Sequence, residues 1–540
     1  MTAPEVKQSP AFGRTGLVTF AGAAFAVPLL YALYTEHVWE DFFIVFKFSQ
    51  NLCEGHGLVY QVGERVHGFT SPLGTLVPAL CYWVTGRTSY LPALWLFRVL
   101  SAGAFAGGGV LFLKALRAGG ASKPVSVAFA VLYLLDVNAV EFSSDGMETG
   151  FMLLFLGWGM YLLARGEPGC WLAMGICWAG LMWTRPDGCV YIASLALAIL
   201  LFEVGPRYPW LVSLEKSAAI CAALYLPWFV GAWLYYGSPV PHTIHAKANY
   251  QEGYHNWAVV VQHTLQRFPS RSASVFQPIY ALSGGWPAWV MAPALYLALF
   301  CSVYWLFPIN DRFGRRASFC FALLGLYISF QTIAFPWYLP PMAVLGLLVL
   351  TGGSAACARA LPRGRAVVGS LVAAGLLLLI GFNLSVFGMT AWQVKVQQAE
   401  IEWGNRAPIG HWLKENVGGG ERVYLECPGY IGYFSDAKML DYPGLVSPEV
   451  VRAARQKPND FPSIGLRLKP EWMVLRPIDE KMMSFNDDFA RHYKPVKVFD
   501  VTDRLDTYSF LPGKGLLMID ARFTVFRRAP EDRASTRESD

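Results

Sequence analysis

The stretch His37–Pro72, "HVWEDFFIVFKFSQNLCEGHGLVYQVGERVHGFTSP", follows directly on the apolar run Leu17–Tyr34. It carries two adjacent acids, Glu40 and Asp41, where that run ends, then an amphipathic helical pattern, then a glycine-rich turn. Ionisable groups at membrane depth are rare and mark function, so the pair at this lip asks for a reason. What surrounds it decides the fold.

The chain has 540 residues, 54% hydrophobic and only 15% charged, with a mean hydropathy of +0.36. Soluble globular chains carry about 25% charged residues, so this one lacks the charge to solvate a globular surface. Apolar runs recur at Val125–Leu135, Met152–Leu163, Cys189–Phe202, Ala218–Tyr235, Ala288–Phe307, Phe319–Ala334, Met342–Leu350 and Val367–Phe387. A span needs about 20 residues, and the shorter runs reach that length with their small and aromatic flanks. The expected fold is a polytopic α-helical membrane protein of about eleven transmembrane helices. Leu17–Tyr34 is too long for a signal-peptide core and lacks a small-residue cleavage site before Glu36, so it reads as a retained anchor.

The ten cysteines do not form a framework. Cys170, Cys177, Cys221, Cys301 and Cys320 fall in apolar runs, where a thiol behaves as a small hydrophobe. The net charge of +6 does not point to nucleic acid, because its distribution follows membrane topology. Lys7 and Arg14 precede the first span and set the N-terminus in the cytoplasm by the positive-inside bias. The clusters Lys114/Arg117/Lys123, Arg165, Arg207/Lys216, Arg312/Arg315/Arg316 and Arg359/Arg363/Arg365 share that side if Ser71–Thr85, interrupted by Pro72 and Pro78, lies at the outer surface. The last span then exits outward. This predicts a transmembrane domain over 1–389 with a first outer loop 36–90, an extracytoplasmic α/β domain over 390–530, and a disordered polar tail 531–540.

On the outer face this topology collects the Glu40–Asp41 pair, "SSDGMETG" (Ser143–Gly150), "TRPDG" (Thr184–Gly188), "PHTIHAKANY" (Pro241–Tyr250) and "FPWYLPP" (Phe335–Pro341). A transporter is expected to place polar residues near the midplane in two related halves, and no internal repeat is present. One-sided chemistry fits an enzyme that takes a lipid-borne substrate; a lipid-linked sugar flippase and an inactive sugar-binding scaffold are the alternatives.

The order Asp41, "NLCEGHGLVYQVGERVHGFTSPL", "DGMETG", "TRPDG" and "H-AKA" resembles the GT-C glycosyltransferases, with the mycobacterial terminal arabinofuranosyltransferases among the relatives. The resemblance runs from Val38 to Lys247 and continues in "ECPGYIGYFSDAKMLDYPGLVSPEVV" (Glu426–Val451). This sequence departs from the pattern in having His67 where Glu is usual, Gly74 where an aromatic is common and His242 where Asn is usual. The resemblance implies transfer of one sugar from a polyprenyl-phosphate donor to an extracytoplasmic glycan or glycolipid, with a cell-wall arabinofuranosyl transfer as one form. It also implies a multi-pass protein of the bacterial inner membrane.

Within that frame Asp41 is the expected base and Glu40 its neighbour, raising the Asp41 pKa by like charge; the plain alternative is a charge pair complementing a helix dipole. Arg185 and Lys247 are the expected donor-phosphate cations, since guanidinium grips two phosphate oxygens at once; the alternatives are an Arg185–Asp187 ion pair and a solvated lysine. His242 and His245 are weaker candidates for the phosphate, in a region that Pro239 and Pro241 make a loop. Asp145 and Glu148, three residues apart, are expected to open a helix on one face, as substrate contacts or as dipole partners. Arg98 is expected in an ion pair with one of them. No metal site or cofactor is predicted, although an acid-bound divalent cation stays open.

In the C-terminal region, Glu400–Val417 reads as a helix ended by Gly418–Gly420, "RVYLE" and "WMVLR" (Trp472–Arg476) as strands, and Ser447-Pro448-Glu449 as a capped helix start. Tyr430, Tyr433, Phe434 and Tyr442 are expected to pack in the core or at a docking face.

Overall fold

The first apolar run forms the helix Arg14–Thr35, and only Glu36–Trp39 separate it from the amphipathic helix Glu40–Cys53. The structure, a computed structural model, describes residues 13–203, 205–248, 256–278, 286–331, 333–361, 365–426 and 428–529. The predicted tail 531–540 lies outside them. Among the described residues, six helices are long and apolar enough to cross a bilayer, and four further apolar helices run 10–17 residues. Pro72–Val84, expected at the surface, is one of those four. Ser71 caps it by accepting the Gly74 N–H, with Pro72 in the first turn.

Contacts divide the chain into two units. The first holds the described residues of Met1–Glu36, Ser71–Gly231 and Gly253–Trp392. It is a helical bundle around one apolar core that includes Phe105, Phe112, Tyr133, Leu153, Leu156 and Leu195. Small residues let its backbones approach. A Cβ on Gly108 would stand 2.7 Å from the Leu153 carbonyl oxygen, and one on Gly157 would stand 2.8 Å from that of Gly108. The helices Tyr90–Ala118 and Thr149–Arg165 therefore cross at backbone contact, as membrane helices do where there is no hydrophobic drive between them. A buried ion pair, Arg316 to Glu203 at 2.6 Å, ties two more helices of the bundle, and Arg316 also donates to the Leu163 carbonyl.

The second unit holds the described residues of His37–Thr70, Ala232–Glu252 and Gln393–Asp540. Its centre is a five-stranded sheet: β1 (Arg422–Leu425), β2 (Lys438–Asp441), β3 (Trp472–Leu475), β4 (Tyr493–Asp500) and β5 (Arg522–Arg528). The order is β2-β1-β3-β5-β4, with β2-β1-β3 parallel and β3-β5-β4 antiparallel. β3 is buried on both faces, and Tyr424, Leu440, Ile464, Met473, Leu475 and Phe526 build the core around it. Short helices alternate with these strands along residues 422–528. Of the loop 36–90, expected to belong with residues 1–389, His37–Thr70 clusters in this unit, whereas the chain from Ser71 onward clusters in the first.

Three local expectations change. The helix Arg365–Val396 runs on through a π-helical segment, Gln397–Arg406, into Ala407–Asn416, so Glu400–Val417 is not a separate element. It ends on Val417 in extended geometry rather than on the glycines. Pro448 does start the helix Pro448–Ala453, but the Ser447 side chain makes no capping bond.

Candidate active site

In the second unit, Glu40 and Asp41 form the first turn of the Glu40–Cys53 helix, after Trp39 as N-cap. Both are half-buried. Two acids suit this place, since helix N-termini favour negative charge. Glu40 is fully engaged: one oxygen pairs with Arg406 at 2.6 Å and the other accepts the Gly429 N–H at 3.2 Å. The like charge expected beside Asp41 is therefore met by a guanidinium. Arg406 in turn holds Glu402 at 3.1 Å and Asp520 at 2.6 Å, and Arg476 bonds both Asp520 and Glu426. Burial alone would raise the Asp520 carboxyl, but Arg406 and Arg476 outweigh it and hold it below the ordinary aspartate range.

The rest of the helix docks on Tyr430–Ser435. Phe43 contacts the rings of Tyr430, Tyr433 and Phe434 at centroid distances of 4.5, 4.9 and 5.5 Å. Lys47, buried, pairs with Asp436 at 2.8 Å. Tyr60 donates to the Pro428 carbonyl at 2.9 Å. The aromatics of this segment pack in the core, and Tyr442 lies edge-on to Phe461.

Lys247 shares this unit. Residues His242–Ala248 are helical rather than a loop, because Pro241 sits before the first turn and leaves the helix free to start. His245 is exposed and Lys247 half-buried. The His242 backbone N–H donates to the His67 carbonyl at 2.8 Å. His67 stacks on Tyr236, ring centroids 4.6 Å apart and planes 8° from parallel. Burial lowers the His67 pKa to about 4, and burial likewise lowers that of His242.

In the first unit, Arg185 follows the helix Trp171–Thr184 in extended geometry, which turns its side chain inward. It pairs with Asp187 at 3.2 Å, approaches Glu148 at 3.9 Å, donates to the Trp337 carbonyl at 3.1 Å and lies 3.9 Å over the Tyr338 ring. All three charged residues are buried. Asp145 and Glu148 do not share a helical face. The helix starts at Thr149 with Glu148 as N-cap, and Gly146, at φ 104°, breaks the turn before it. Asp145 instead accepts the Met147 N–H at 3.0 Å. Arg98 donates to the Ser144 carbonyl at 2.7 Å and lies over Trp95. Among the described residues, no three His, Cys, Asp or Glu side chains are placed to hold a metal ion.

Arg406, Asp520, Lys47 and Asp436 escape a reading of the sequence. Glu402 and Arg406 stand four apart, the spacing of an ordinary surface pair, and nothing local ties them to residue 40. Lys47, seven residues after Glu40 and so on the same helical face, was the one available signal.

The archaeal oligosaccharyltransferase AglB from Archaeoglobus fulgidus, in complex with an inhibitory peptide and a dolichol-phosphate, matches with a TM-score of 0.51 at 13% identity. The match covers 85% of this chain and 69% of that one. The chain has the GT-C fold. Residues 392–523 match a domain of unknown function, DUF8728. By sequence the chain is 33% identical over 163 residues to a terminal beta-(1->2)-arabinofuranosyltransferase of Mycobacterium tuberculosis, 29% of this chain and 24% of that protein. It is 28% identical over 234 residues to the protein of the same name from Corynebacterium glutamicum, 39% of this chain and 33% of that one. The chain thus spans between a quarter and a third of the length of these curated relatives.

Proposed function

We propose that this chain is an inverting GT-C glycosyltransferase that moves one sugar from a polyprenyl-phosphate donor to an extracytoplasmic glycan or glycolipid. The names of the two curated relatives favour arabinofuranose as the sugar, and a cell-wall polysaccharide is the proposed acceptor. The observation that carries the reading is Asp41: a half-buried carboxylate in the first turn of a helix that begins directly after the first apolar helix, with its acidic neighbour already neutralised.

In the proposed reaction Asp41 takes the proton of the acceptor hydroxyl as its oxygen attacks the anomeric carbon. The bond from that carbon to the phosphate oxygen breaks on the opposite side, and polyprenyl phosphate leaves as an anion. The configuration inverts, and one base suffices because phosphate needs no proton to depart at neutral pH. Arg185 and Lys247 are assigned to the departing phosphate. The positive-inside bias puts this chemistry on the outer face of the inner membrane.

The test is Asp41→Asn, which keeps size and much of the hydrogen bonding but accepts no proton. Loss of a general base costs about 10²–10⁴-fold, so transfer should vanish while binding of polyprenyl phosphate survives. Turnover within a few-fold of wild type overturns the assignment. A dead Glu40→Gln beside an active Asp41→Asn would move the base to Glu40.

A further inference from the structure

We propose that the sheet-bearing part of the second unit acts as a brace for the reacting carboxylate, with Arg406 as its positioning residue. This rests on the reading of Asp41 as general base. Glu40, Phe43 and Lys47 stand at i, i+3 and i+7 of one helix and form a single stripe. Each end of that stripe meets an opposite charge, Glu40 on Arg406 at 2.6 Å and Lys47 on Asp436 at 2.8 Å. Its centre, Phe43, packs among Tyr430, Tyr433 and Phe434.

Two ionic anchors seven residues apart, about 10 Å along a helix, fix both its rotation and its axial position. Asp41 stands about 100° around the helix from Glu40, so its direction is set once the stripe is set. Arg406 is itself held rigidly, 6% exposed, with Glu402 and Asp520 on its fork and Arg476 behind Asp520. Its removal would leave Glu40 and Glu402 without their guanidinium and Asp520 with Arg476 alone, three acids held close together. Breaking a buried pair on one side is strongly unfavourable, and the Glu40 turn is the mobile partner able to relieve it. Displacing that turn displaces Asp41.

The experiment uses the full-length protein in detergent, with three readouts on each variant: turnover from polyprenyl-phosphoryl arabinofuranose at saturating donor, binding of polyprenyl phosphate alone, and deuterium uptake by the Trp39–Phe46 peptide. Arg406→Gln should lower turnover about tenfold or more, since small misplacements of a reacting group cost up to about 10²-fold. Polyprenyl-phosphate affinity should stay within about threefold, and uptake at Trp39–Phe46 should rise. Arg406→Lys should recover part of the turnover, because it keeps charge but loses the fork. Lys47→Met loosens the far anchor and carries the same test should Arg406→Gln not fold. Unchanged uptake at Trp39–Phe46 overturns the brace, whatever happens to the melting temperature. Unchanged turnover in Arg406→Gln, with Asp41→Asn inactive, overturns the positioning role alone. Wild-type turnover in Asp41→Asn overturns the base itself.

Discussion

The Gly429 N–H donates to Glu40 across 3.2 Å, and no side chain fits between the two residues. A Cβ on Gly429 would collide with the Glu40 Cγ and with its carbonyl oxygen. Gly429→Ala must therefore push the first turn of the helix away. Overpacking of this kind costs about 1–3 kcal/mol. We expect a lower melting temperature for this variant in detergent, together with reduced transfer. An unshifted melt would mean that the turn yields freely, against the rigidity argued for it.

His67 gives a pH signature. Its folded pKa, about 4, lies below the ordinary 6.5, so the unfolded chain binds the proton more readily. The stability this histidine contributes is present above pH 6.5 and is lost as pH falls towards 4. At 1.36 kcal/mol per unit, the full loss is about 3 kcal/mol. Asp441 runs the other way: burial lifts its pKa to about 7, so its contribution is present at low pH and lost as pH rises through 7. Between pH 7 and pH 4.5 the unfolding midpoint should fall further, or rise less, in the wild type than in His67→Phe, which keeps the stack on Tyr236 but cannot titrate. An equal acid loss in the variant would assign the dependence elsewhere.

For the donor phosphate, Arg185→Ala and Lys247→Ala should each weaken binding of polyprenyl phosphate itself. Charge-assisted hydrogen bonds contribute about 1.5–3 kcal/mol, so roughly tenfold or more is expected for each. Arg185 already faces Asp187 and Glu148, so Arg185→Lys should rescue poorly. Normal lipid affinity in well-folded variants would leave Arg185 as the ionic tie between Asp187 and Glu148 only.

Sidedness is open to single-cysteine labelling in a background without reactive thiols. Ser144 and Thr243 look accessible in the sequence, yet they are only 3% and 5% exposed. Val62, 65% exposed, and His245, also exposed, are the usable positions on the face proposed to be outer. Cysteine there should react with an impermeant reagent from outside, whereas Ser122→Cys should require permeabilised membranes. The reverse pattern would put the proposed chemistry on the wrong face.

Much of this architecture is visible in the sequence because membrane helices and buried strands are written as continuous apolar runs. β1 and β3 were legible for that reason. β4 was not: "YKPVKVFD" is an exposed edge strand, carrying Pro495 and two lysines in place of a clean alternation. The Glu40–Asp41 pair stood out because charge is conspicuous beside an apolar run. Arg406 did not, because its meaning comes from Glu40 and Asp520, partners that no local pattern connects. Helix limits near glycine failed for a related reason. Gly146, by its positive φ, breaks the turn, so that Glu148 stands at the N-cap position rather than riding on a helix face.

The span of chain between Glu40 and Gly429, 389 positions, has a consequence for biosynthesis. Translation at about 5–20 residues per second leaves the Glu40–Cys53 helix waiting roughly 20–80 s before Tyr430–Ser435 exists to receive it. Through that interval Phe42, Phe43, Phe46 and Phe48 must be sheltered by the bilayer surface, the insertion machinery or a chaperone. A ribosome that stalls before Arg406 would release a chain already inserted in the membrane, with its carboxylates made and nothing to aim them.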